Sequence, residues 1–123
     1  MKKLIILCAT LLAGCSLMIG KYDPNEYYLV TQIRTVAETA NCNNPIYTAN
    51  TFELLYIDAT ALKNYSQYLP NNEAEIKLTS DLFKMVEELH NKENPSVAYC
   101  KAKLNIISQS AERIQQVTGS KPR

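Results

Sequence analysis

Between Asp23 and Gly119 the chain is a succession of helix starts, apolar stripes and helix stops, with no glycine in between. Only three glycines occur in 123 residues, and Gly20 and Gly119 bracket this stretch, which disfavours a turn-rich β architecture. Asp23-Pro24-Asn25-Glu26 places an acidic N-cap, a proline at the first helical position and a glutamate at the third. Leu29, Ile33, Val36 and Ala40 follow as one apolar stripe, and Asn41-Cys42-Asn43-Asn44-Pro45 predicts its end. Phe52, Leu55, Ala59, Leu62 and Leu69, with Ser66 completing the spacing, predict a second helix from near Asn50 to Pro70, which cannot continue it. Asn72, with Glu75 three residues on, predicts the next cap, and Ile76, Leu82, Phe83, Val86 and Leu89 form the third stripe. After the polar His90-Asn91-Lys92-Glu93, Asn94-Pro95 predicts a cap and first helical position. Val97, Cys100, Leu104, Ile107, Ala111 and Ile114 then alternate at spacings of three and four before Gly119, a helix stop. Four amphipathic helices joined by short turns predict an all-α fold, a small antiparallel four-helix bundle.

The start of the chain is of a different kind. Two lysines after Met1, an apolar run from Leu4 to Leu12 and the small residues Ala13-Gly14 read as a secretory signal peptide. Leu12-Ala13-Gly14-Cys15 resembles the lipobox of bacterial lipoproteins, over residues 1–15 only. That resemblance implies a diacylglycerol on the Cys15 thiol, cleavage before Cys15 and acylation of the new N-terminal amine. The covalent lipid would be the only non-protein group, with no cofactor and no metal. An ordinary cleaved signal that happens to hold a cysteine is the alternative. The expected organisation is a signal peptide over residues 1–14, a lipid-anchored tether over 15–22, a bundle over 23–119 and a solvated tail over 120–123. The remaining 109 residues suffice for one small domain.

Of the four cysteines, Cys8 leaves with the signal and Cys15 carries the lipid, so Cys42 and Cys100 remain in a compartment where disulfides persist. The helix pattern puts Cys42 just after the first helix and Cys100 in the second turn of the fourth, at one end of the bundle. A bridge between them is therefore expected.

Charge excludes whole classes of partner. Without Lys2 and Lys3 the chain carries 11 basic and 12 acidic side chains, which argues against nucleic acid and against a strong membrane-surface field. No phosphate-cradling glycine loop, G-x-S-x-G or C-x-x-C occurs. His90 is the only histidine and has no triad or metal set around it, and Glu73, Glu75, Glu87 and Glu88 make no convincing acid and base pair. The reading is non-enzymatic, and two cysteines with one distant histidine make no zinc set.

Eight tyrosines against two phenylalanines and no tryptophan are the compositional oddity. Tyr22, Tyr27 and Tyr28 fall close behind Cys15, where amphipathic rings can rest among lipid head groups. The plainer reading has Tyr28 packed under the first helix and the others partly exposed. Tyr56, Tyr65 and Tyr68 flank the second stripe, as one face of a peptide groove or as bundle rim. Ser16 follows the lipobox cysteine, and in enterobacterial-type lipoproteins an aspartate there favours the inner membrane. The resemblance thus implies the bacterial envelope, at the periplasmic face of the outer membrane or, in a Gram-positive bacterium, on the outside of its single membrane. Two roles follow: a binding or assembly module for another envelope protein, or a phage or mobile-element lipoprotein that blocks a surface receptor or joins in lysis. A structural lipoprotein is the third. An anchor, a helical bundle and one disulfide are similar to the layout of the pilotins, in architecture only.

Overall fold

The computed structural model describes residues 20–123, so the expected signal peptide and the expected lipidation at Cys15 lie outside the described residues. Among the described residues there are four α-helices and no strand: α1 (Pro24–Thr39), α2 (Pro45–Tyr68), α3 (Glu73–His90) and α4 (Val97–Gly119). Each helix packs on its neighbours in chain order, and α4 closes against α1. The fold is the expected antiparallel four-helix bundle.

The helix starts show which local signals count. Asp23 accepts from the backbone N–H groups of Asn25 and Glu26 at 2.9 and 3.0 Å, as its sequence position predicts. Helix α2 begins at Pro45 rather than near Asn50, because Asn44 is itself an N-cap and accepts from the Ile46 N–H at 3.1 Å. The same five residues that stop α1 therefore also start α2. Helix α4 begins two residues later than expected: Ser96, not Asn94, caps it by accepting from the Tyr99 N–H at 3.1 Å. Asn94 instead takes a left-handed φ of 46°, which asparagine tolerates better than most residues.

The core is made by Val30 and Ile33 of α1, Leu55 and Leu62 of α2, Leu82 and Leu89 of α3, and Ile107 and Ile114 of α4, all fully buried. Burial of each contributes about 1.5–3 kcal/mol relative to exposure. Two expected stripes are rotated slightly. In α1 the interior positions are Val30, Ile33 and Ala37, while Leu29, Val36 and Ala40 pack at the edge. In α3, Ile76 and Phe83 are only half-buried and Thr79 takes the inner position. The rotation follows from two buried acids, Glu26 in α1 and Glu75 in α3, which turn inward.

Those acids correct the expected tail. Lys121 is buried, and its ammonium donates to Asn72 Oδ1 at 2.6 Å and to Glu26 Oε1 at 3.2 Å, with Glu75 Oε1 also at 3.2 Å. Glu26 Oε2 accepts from the Ser66 hydroxyl and the Asn72 amide, both at 2.8 Å. Neither Glu26 nor Asn72 caps its helix with its side chain as the spacing suggests; both side chains are committed to Lys121. The tether is corrected too. Gly20 is buried beside the Pro70 and Asn71 carbonyls, the Tyr22 N–H donates to the Pro122 carbonyl at 2.9 Å, and Arg123 lies over the Tyr22 ring. Residues 20–22 and 121–123 thus belong to the folded body. Gly119 is the last helical residue, and its missing side chain matters because a Cβ there would sit 3.0 Å from the Tyr27 ring.

At the opposite end, Cys42 and Cys100 are bridged with 5.9 Å between their Cα atoms. Replacing either by Ser is expected to lower stability by about 2–4 kcal/mol, read as a drop in Tm on thermal melting; unchanged melting with and without reductant would contradict this. Replacing Lys121 by Ala strands two buried carboxylates and is expected to cost about 3–5 kcal/mol in urea denaturation at neutral pH. A loss below about 1 kcal/mol, the range of an exposed pair, would show that Lys121 is solvated.

Candidate functional site

Helix α2 carries two apolar stripes on opposite faces. The inner one comprises Thr48, Phe52, Leu55, Ala59, Leu62 and Ser66, all buried. The outer one runs Tyr47, Asn50, Leu54, Ile57, Ala61, Asn64 and Tyr68 at alternating spacings of three and four, the seam of a coiled-coil heptad. Tyr47, Leu54, Ile57 and Tyr68 are 64, 46, 55 and 88% exposed. An amphipathic bundle helix normally presents a charged or polar back to water. Here the back of a 24-residue helix is mainly apolar and amide-bearing. With Tyr47, Leu54, Ala61 and Tyr68 at heptad position a and Asn50, Ile57 and Asn64 at d, the flanking e and g positions hold only two charges, Asp58 and Glu53.

The two carboxylates sit on opposite flanks. Glu53 faces α3, where Oε2 lies 2.7 Å from His90 Nε2. The His90 ring stacks on Tyr56 with centroids 4.3 Å apart, so this helix-end histidine is positioned by an aromatic face and one acid. Asp58, on the α1 flank, makes no hydrogen bond or ion pair among the described residues, and partial burial pushes its carboxyl above the ordinary aspartate range. The positive charge nearest in sequence, Lys63, lies over the Phe83 ring on the α3 side, 4.3 Å from its centroid.

The tyrosines do not group as expected. Tyr56 is tucked between His90 and Phe83, the Tyr65 hydroxyl donates to Asp23 at 2.9 Å, and only Tyr68 is free, so the three share no groove face. Of Tyr22, Tyr27 and Tyr28, Tyr28 is exposed rather than packed beneath α1. Tyr22 and Tyr27 pack on each other at 5.9 Å, and Tyr27 also closes on Gly119 and accepts from Gln115. A cleft of about 600 Å³ opens at the disulfide end, lined in part by Phe52, Glu53, His90 and Val97. Among the described residues, no group of three or more His, Cys, Asp or Glu is placed to hold a metal ion. No described helix is long and apolar enough to cross a membrane.

The chain matches no family model, no curated protein and no solved structure. The outer seam of α2 went unnoticed in the sequence because the inner stripe satisfies the helix pattern by itself; counting a second stripe from Tyr47 at the same spacing would have found it.

Asp58 gives a test of the seam's electrostatics. A carboxyl whose folded pKa is raised favours folding less as pH climbs through and above its unfolded value. Asp58→Asn is accordingly expected to raise Tm slightly at pH 7, with the gain vanishing near pH 3, where the native carboxyl is protonated as well. A gain that persists at acid pH would place its origin elsewhere.

Proposed function

We propose that this chain is a lipid-anchored lipoprotein of the bacterial envelope and a non-enzymatic binding module for another envelope protein, held at the periplasmic face of the outer membrane. The anchor rests on the lipobox resemblance at Cys15. The binding role rests on one observation, the exposed heptad stripe along α2. Contiguous exposed apolar surface on a small folded protein marks an interaction site, and a seam at this spacing suits a helix.

The docked ends of the chain sharpen the picture. Because Gly20 packs on the body, only Ser16 to Ile19 would separate a lipidated Cys15 from it. Four residues at ~3.3–3.6 Å each reach at most ~14 Å, so the end holding Lys121 and Tyr68 would stay next to the bilayer. The seam from Tyr47 to Tyr68 would then run outward from the membrane for about 33 Å, at ~1.5 Å per residue.

The experiment is site-specific photocrosslinking in the native host, with a benzophenone side chain at position 57 and a control at exposed Lys101, beside membrane fractionation of Cys15→Ala. Expected are capture of one envelope protein from position 57 but not from 101, and loss of membrane association and normal processing in Cys15→Ala. A secretin subunit among the captured proteins would favour a pilotin-like escort, and a surface receptor the receptor-blocking role. No capture from position 57 above the control would remove the binding module, and an unchanged, normally processed membrane fraction of Cys15→Ala would remove the anchor.

A further inference from the structure

The charges beside the α2 seam say what kind of helix it takes. Residues at e and g positions face the partner strand and set its identity and direction through charge. On α2 these positions are Thr51, Asp58 and Tyr65 on one flank and Glu53, Thr60 and Gln67 on the other, so both charges are acidic. Asp58 has no cation beside it among the described residues, and Glu53 leaves 60% of its side chain exposed beyond its single contact with His90. The seam itself holds the bulky Leu54 and Ile57 at its centre, with Asn50 and Asn64 on either side of them.

A second copy of the chain fits this charge pattern poorly. Two copies anchored in one membrane would lie parallel, and a parallel seam sets each g residue against the e residue five positions on in the other strand. That places Glu53 against Asp58 twice. An antiparallel copy would direct its Cys15 end away from the shared membrane. An anionic lipid surface is disfavoured by the same two carboxylates.

We propose that the outer seam of α2 takes one amphipathic helix of another envelope protein, with apolar residues against Leu54 and Ile57 and lysine or arginine beside Glu53 and Asp58. This rests on the binding-module reading above and narrows it to a basic-flanked helix. Asn50 and Asn64 fix the register of that helix through side-chain amide hydrogen bonds, at some expense in affinity.

The test titrates the full, processed chain in phosphatidylcholine nanodiscs with two synthetic heptad peptides of identical apolar seam, one carrying lysine and the other glutamate at the flanking positions. Binding is read by fluorescence anisotropy. The lysine peptide is expected to bind at least tenfold more tightly, to lose at least tenfold in affinity on Ile57→Asp or Tyr68→Ser, and to lose its advantage to the glutamate peptide in the double variant E53K/D58K. Glu53, Ile57 and Tyr68 are exposed and Asp58 is half-buried, and melting curves verify that each variant folds. Equal affinity for the two peptides, absence of binding, or lysine-peptide binding that survives Ile57→Asp overturns the proposal. So does a disulfide forming between two Ile57→Cys chains without peptide, which assigns the seam to a second copy, or quenching of a fluorophore at position 57 by brominated lipid, which assigns it to the bilayer. Failure here with photocapture from position 57 intact refutes only the basic helix; failure of both refutes the binding module.

Discussion

Lys121 lies beyond the last helix, two residues before Arg123, yet its ammonium is shared among Glu26 of α1, Asn72 ahead of α3 and Glu75 of α3, while Ser66 of α2 bonds the far oxygen of Glu26. Every helix except α4 contributes a side chain, and α4 contributes the segment that carries the lysine. Two carboxylates and one ammonium taken out of water pay a large desolvation penalty, which only full pairing and hydrogen bonding recover. The arrangement is therefore weak evidence for extra stability. Any slippage of α1 against α3, or release of the last three residues, exposes the site to half-satisfied partners, a worse state than the native one.

The two ends of the bundle are fixed by different physics. At the disulfide end the link is covalent and acts largely by restricting the unfolded chain. At the other end it is ionic, and it draws residues 20–22 and 121–123 onto the body through the Tyr22 N–H and the Arg123–Tyr22 contact. Both ends join the first and last elements of the chain. In an up-down bundle that pairing closes the ring of four helices, and α1 against α4 is the one neighbouring pair that no short loop holds together.

The bundle, its order and its disulfide were legible because each depends on local pattern: cap residues, stripes and the positions of Cys42 and Cys100 relative to helix ends. The rotation of α1 and α3 was not. Glu26 looks like a capping-box acid and Asn72 like an N-cap when only the next few residues are considered. Their true partner is 95 positions from Glu26 in the chain, and no local spacing announces it. The same limit hid Tyr65, whose hydroxyl serves Asp23 across 42 positions. The outer stripe of α2 was visible in principle; a single-face reading stops once one stripe is found.

Why a small bundle would keep such a stripe uncovered follows from its composition. Leu54 and Ile57 are the only large aliphatic residues in it, flanked by Asn50, Ala61 and Asn64, so a single helix laid along it gains little apolar burial. Such a contact in free solution gives up part of its gain to the translational and rotational cost of association and remains weak but measurable. The proposed anchor at Cys15 would change the balance, because confining both partners to one membrane face would raise their effective concentration without any new contact. On the proposed reading, a weak, acid-flanked seam on a short tether would be selective where a strong apolar one would bind indiscriminately: the membrane would supply proximity, and Glu53 and Asp58 would decide which helix stays.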